Sequence, residues 1–152
     1  MRTATFLVVI LASGLGSLSN AQFVPGPRGE VLRYGLCEQA ADRMYLTDLT
    51  DSVPLRKGVG FGIEWKASGL PDHAQLVFSY RISHPRIVRP DGRVLTVTTD
   101  EVPLQVTKGE IAITDCYFLS EEHDLVAGEW EIAVWFQGQR LVAKRFNVGV
   151  AL

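Results

Sequence analysis

From Gly29 onward the chain alternates between apolar and polar positions with a period of two, and helical periodicity is scarce. The clearest run is Val59 to Ala67. Val59, Phe61, Ile63, Trp65 and Ala67 share one face, and Gly60, Gly62, Glu64 and Lys66 share the other. This is the pattern of a half-buried antiparallel strand. The two glycines weaken it by propensity and mark a bulge or a close approach of another backbone or a ligand. A second run alternates Leu76, Phe78, Tyr80 and Ile82 with Gln75, Val77, Ser79 and Arg81. Pro90-Asp91-Gly92 then signals a turn, since Pro presets φ and Gly tolerates positive φ.

Arg93 to Thr99 follows, rich in β-branched residues, and Pro103 is expected to interrupt what comes after it. Ile111 to Phe118 reads as another strand and carries Cys116. The last two strands are the most regular. Trp130, Ile132, Val134 and Phe136 alternate with Glu131, Ala133, Trp135 and Gln137. After the tight reversal at Gln137-Gly138-Gln139, Val142, Lys144, Phe146 and Val148 form an apolar face. Lys144 falls on that face and predicts a bulge or an edge. Upstream, Val31 to Cys37 reads as the first strand, with Cys37 on the parity of Val31, Arg33 and Gly35.

Glu38 to Tyr45, rich in Ala, Glu, Gln, Arg and Met, is the one helix candidate. It is short and lacks an apolar stripe, so it predicts a turn of helix or an irregular loop. About seven strands with turn signals between them predict an all-β chain folded as an antiparallel β-sandwich, with a small closed barrel as the alternative.

The first residues have a different character. Arg2, the apolar run Phe6 to Ala12 and the small residues Ser19-Asn20-Ala21 have the layout of a secretory signal peptide. The run is shorter than the roughly 20 residues of a membrane-spanning helix. The reading is therefore a signal peptide over residues 1–21, a flexible Pro/Gly lead-in over 22–28 and a single sandwich domain over 29–152. Cleavage near Ala21–Gln22 is expected to leave a soluble periplasmic or secreted protein with no membrane span. It removes Arg2 and no acidic residue, taking the formal charge from −2 to −3. With no basic excess, nucleic acid is not an expected partner.

Cys37 and Cys116 are the two cysteines. In an oxidising compartment an even count predicts a bridge. Two buried thiols packed as small hydrophobes are the alternative. Closing a loop of about 80 residues is worth up to roughly 4.5 kcal/mol in the chain-entropy model. Zinc is not expected, because two cysteines without a C-x-x-C spacing do not make a four-ligand site.

Several short motifs occur in a fixed order: Tyr34-Gly35, Val53-Pro54-Leu55, Gly58 leading into Phe61-Gly62-Ile63, and His84-Pro85. The chain then closes with Gly128-Glu129-Trp130, Gly138, Leu141 and Phe146-Asn147-Val148. In these the chain resembles a group of uncharacterised bacterial exported domains with an immunoglobulin-like sandwich, over most of residues 31–148. The resemblance implies a fold and a compartment and no chemistry. The central bridge of antibody-type domains does not transfer, because Cys37 ends the first strand and Cys116 lies on the fifth.

Candidate chemistry is sparse. Glu121-Glu122-His123-Asp124 offers oxygen and nitrogen ligands, but neighbours on an extended loop diverge, and a solvated acidic loop is the plainer reading. No Gly-x-Ser-x-Gly elbow supports a hydrolase in the mature region. Arg81, Arg86, Arg89 and Arg93 gather around His84 and could bind an anion by forked hydrogen bonds, or form a solvated turn balanced by Asp91, Asp100 and Glu101. Trp65 and Trp130 fall on apolar faces and belong to the core. Trp135 falls on the outer parity of its strand, where an aromatic can anchor a partner.

The expectation is a non-catalytic exported binding or interaction module of the bacterial envelope, needing no cofactor. Its partner would be another envelope protein or a saccharide. The candidate interaction surface is Trp135, Arg81, His84, Arg86 and Arg89. A small metal protein or hydrolase built on His84 or the Glu121–Asp124 region is the alternative.

Overall fold

A computed structural model describes residues 25–149 of the chain. The expected signal peptide and the lead-in up to residue 24 lie outside the described residues. Among the described residues there are nine strands: β1 (Arg28–Ala40), β2 (Arg43–Leu46), β3 (Ser52–Pro54), β4 (Gly60–Ser68), β5 (Gln75–Val88), β6 (Val94–Gln105), β7 (Ile111–Phe118), β8 (Gly128–Phe136) and β9 (Gln139–Gly149). They form a four-stranded sheet in the order β2-β1-β4-β7 and a five-stranded sheet in the order β3-β9-β8-β5-β6. Pairing is antiparallel except where β3 joins β9 in parallel. The predicted sandwich is therefore present, with two short strands, β2 and β3, that are too brief to show a period of two.

The faces of the two sheets meet over an aromatic core. Phe61 and Trp65 on β4, Phe78 on β5, Trp130 on β8 and Phe146 on β9 are among its fully buried side chains. Trp65 and Trp130 are thus core residues, as their parity predicted. Phe61 packs edge-on to Trp130 with ring centroids 5.8 Å apart, and Trp65 sits 5.6 Å from Phe78. Burial of such rings supplies most of the driving force for closing one sheet on the other. The β8–β9 hairpin turns at Gln137-Gly138, both at positive φ, as a two-residue hairpin matched to strand twist requires.

The helix candidate is overturned. Glu38 to Tyr45 is the end of β1, a turn at Ala41-Asp42, and β2. Glu38 is registered with Tyr45 and Gln39 with Met44. Tyr45 donates its hydroxyl to Glu38 Oε2 over 2.8 Å. Eight residues are too few to form an independent helix, and pairing with a neighbouring strand overrides their propensity. The first strand is also longer than Val31 to Cys37. Its register slips between Val31 and Arg33, so Val31 lies on the opposite face from Arg33, Gly35 and Cys37.

Pro103 does not end its strand. β6 runs on to Gln105 with Pro103 opposite Val77, which an edge strand tolerates. Nor does His84-Pro85 end β5. The strand bulges there, placing Ser83 opposite Val97 and Ile87 opposite Leu95. The bulge near Lys144 falls three residues earlier, where Val134 and Trp135 are registered with Val142 and Arg140. Lys144 itself lies beyond the reach of β3, which pairs only with Asn147 to Gly149. Its ammonium rests 3.7 Å from the centre of the Tyr34 ring and 3.7 Å from Asp51.

Cys37 and Cys116 are joined in a disulfide, with Cα atoms 6.2 Å apart. Cys37 stands opposite Gly60 and Cys116 opposite Gly62, so the bridge spans β4 where neither residue has a side chain. A Cβ on Gly62 would fall 2.0 Å from the Asp115 carbonyl oxygen. The glycines of this strand therefore do mark a close backbone approach.

Candidate functional site

The sandwich is open along one side. β7 ends the four-stranded sheet and β6 ends the five-stranded one, and the β1–β2 hairpin leans toward β7 across the gap. The space between them is a cavity of about 650 Å³. The hairpin contributes Gln39, Asp42, Arg43 and Met44 to its lining. Tyr80 and Ile82 come from β5, Thr98, Asp100 and Val102 from β6, and residues 113–117 from β7.

Strand parity explains the contents. Ile113, Asp115 and Tyr117 are registered with Trp65, Ile63 and Phe61, all core residues, so Asp115 is a carboxylate at an inward position. Tyr80 and Ile82 are registered with Asp100 and Thr98, which directs those two polar side chains inward as well. Asp115 Oδ2 accepts the indole N–H of Trp65 over 2.6 Å. Burial pushes the Asp115 carboxyl above its ordinary value, partly offset by hydrogen bonding to the ionised form.

Tyr80 is only 7% exposed, and its buried hydroxyl faces the Asp115 carboxylate. Burial, and then the Asp115 charge, raise the ionisation of this phenol far above its usual range, so it stays neutral. The lining thus combines apolar walls with two convergent polar groups, the composition of a small-molecule site.

Arg81 and Trp135 meet on the outer face of the five-stranded sheet. The guanidinium lies 4.4 Å from the centre of the indole, and Trp135 Nε1 is buried without a partner. His84 does not join them. Its ring is buried 5.0 Å from Trp130, with Nδ1 2.8 Å from the Pro85 carbonyl and Nε2 3.2 Å from Thr98 Oγ1. Arg86 is exposed within the β5 bulge, and Arg89 is half-buried beyond it. Arg93 is engaged with Asp91 in the turn.

The Glu121–Asp124 segment is a capped 3-10 turn. Asp124 is buried, and its Oδ2 accepts the Glu121 N–H over 3.2 Å. Its carboxylate is used within the turn, which is not the solvated loop that composition implied. Among the described residues no group of three or more His, Cys, Asp and Glu side chains is placed to hold a metal ion. None of the described helices is long and apolar enough to cross a membrane.

Sequence reasoning passed over Asp115 and Tyr80. The signal for Asp115 was a lone carboxylate on the apolar parity of Ile111, Ile113 and Tyr117. Its meaning depends on Tyr80, which arrives from the other sheet.

Among solved structures, an immunoglobulin-like protein from Pseudomonas aeruginosa is similar with a TM-score of 0.64 and 25% identity, over 84% of this chain and 99% of that one. An alkylpurine DNA glycosylase from Pseudomonas fluorescens shows a TM-score of 0.48 and 13% identity, over 80% of this chain and 30% of the glycosylase. A beta-glucosidase from Kluyveromyces marxianus shows 0.42 and 14%, over 81% of this chain and 14% of the glucosidase. No curated protein matches the chain. The family model described as Domain of unknown function (DUF3859) matches residues 32–148. Most of the described sandwich lies within that match, and the chain belongs to this family of immunoglobulin-like domains.

Proposed function

We propose that the protein is an exported, non-catalytic binding module that holds a small amphipathic molecule in the cavity between β6 and β7. The observation that carries this reading is the Asp115 carboxylate, set beside the Tyr80 hydroxyl in a cavity with apolar walls. A ligand donor would use the acceptor capacity that the Asp115 carboxylate keeps beyond its bond from Trp65. The lining contains no histidine, lysine, serine or free thiol, so its hydroxyls, those of Tyr80, Thr98, Thr114 and Tyr117, have no imidazole or amine base beside them. The Cys37–Cys116 bridge and the leader-like N-terminus favour an oxidising compartment, periplasmic or extracellular.

The test is mass spectrometry of small molecules released from protein purified out of its native compartment, with Trp65 fluorescence following their return. A stoichiometric ligand lost on Tyr80→Phe supports the reading. A cavity that takes up nothing and leaves Trp65 emission unchanged across an amphiphile panel refutes it.

A second reading is contact with an envelope protein or a saccharide through the outer sheet face. Arg81 stacked on Trp135 on that face favours it. Crosslinking from the Trp135 position in the envelope tests it, and an absence of specific adducts counts against it.

A further inference from the structure

We infer that the cavity ligand carries a protonated amine on a compact hydrocarbon body, an inference that rests on the cavity being a binding site. Two independent features of the lining point to this head group.

The first is the hydrogen-bond inventory. The Asp115 carboxylate accepts one protein hydrogen bond, from Trp65, and an ionised carboxylate has further acceptor capacity in its second oxygen. The neighbouring Tyr80 hydroxyl faces the same carboxylate. An ammonium group brings three donors on one atom, enough to engage the remaining acceptor sites of the carboxylate. Its bond to Asp115 would be charge-assisted, roughly twice as strong as a neutral one. It would also draw the carboxyl back from the raised ionisation that burial imposes.

The second is the balance of charge. Asp42, Asp100 and Asp115 line the cavity against Arg43 alone. None of these four forms an ion pair among the described residues. A space lined by an excess of one sign of charge between apolar walls favours the opposite ion over its own. Tyr80 and Tyr117 add aromatic rings to the same lining, and such rings attract cations. A volume of about 650 Å³ suits a small molecule, and Ile82, Val102, Ile113 and Ile132 provide the apolar wall.

The test uses three probes with the same chain: octylammonium, octanol and octanoate, titrated calorimetrically into the oxidised protein near neutral pH. Octylammonium is expected to bind about tenfold or more tightly than octanol, with octanoate weakest. Asp115→Asn keeps an acceptor for Trp65 and is expected to reduce octylammonium affinity to that of octanol while leaving octanol unchanged. Tyr80→Phe, which keeps the ring, gives a second reading should the first variant fold poorly. Octanoate binding as tightly as octylammonium, or octylammonium affinity unaltered in both variants, overturns the amine and leaves the cavity reading intact. If none of the three probes binds, the cavity reading fails and the amine with it.

Discussion

Trp65 on β4 donates its indole N–H to Asp115 on β7, diagonally across the inner face of one sheet, over 2.6 Å. Trp65 is fully buried, so this carboxylate is its hydrogen-bond partner inside the core. Asp115→Ala would leave the indole unpaired and is expected to cost about 1–3 kcal/mol. Asp115→Asn, which keeps an acceptor, is expected to cost clearly less. Urea unfolding of both variants, followed by Trp emission, makes the comparison.

The same carboxyl gives the stability a definite pH dependence. Burial raises its folded-state pKa above the unfolded value, so the folded chain binds the proton more tightly. Its contribution is then fully present below the unfolded pKa and is lost as pH rises through the folded one. The unfolding free energy of the native protein, relative to Asp115→Asn, is expected to improve as pH falls from neutrality toward about 4. A flat difference across that range would show that the carboxyl titrates normally.

Replacing Cys37 and Cys116 together by serine is expected to lower the unfolding free energy by about 2–5 kcal/mol. The loss should be uneven. Residues 38–46 lie beyond the last β1–β4 pair, and the bridge fastens the base of their hairpin to β7. Amide exchange is expected to accelerate most in that hairpin and least in the β8–β9 hairpin.

Two glycines separate steric from conformational need. Gly62→Ala places a Cβ 2.0 Å from the Asp115 carbonyl oxygen and is expected to cost about 3 kcal/mol, since backbone must move. Gly138 has open space around it but a φ of +78°, so Gly138→Ala is expected to cost about 1 kcal/mol from strain alone. Thermal unfolding of the two variants orders them. Equal losses would mean that β4 and β7 can separate at Gly62 without penalty.

The legible parts of this fold are those where one physical rule acts alone. β4, β8 and β9 keep a buried face over most of their length and β7 a half-buried one, so alternation located them and put Trp65 and Trp130 in the core. Residues 38–46 were misread because Glu38, Gln39, Ala40, Arg43 and Met44 are exposed helix formers, and their extended shape comes from pairing within the hairpin. β3 was invisible because three residues show no period, and its place is set by Asn147 to Gly149 nearly a hundred positions away. The cavity was hidden for the same reason. Asp115 and Tyr80 lie on different sheets, and only closure of the sandwich brings them to one space. Arg81 and Trp135 were each singled out separately, but their stacking follows from the β5–β8 register.

Pro103 has a consequence for how the molecule behaves in company. β6 borders the five-stranded sheet, and an uncovered border is a template on which a second chain can lay down a strand. At Pro103 the template lacks an N–H, and Asp100 and Glu101 set two negative charges just before it. A copy that began to add there would lose a hydrogen bond and meet its own acidic pair in repulsion. The border beside the cavity can therefore stay open to small molecules while resisting fibrous growth.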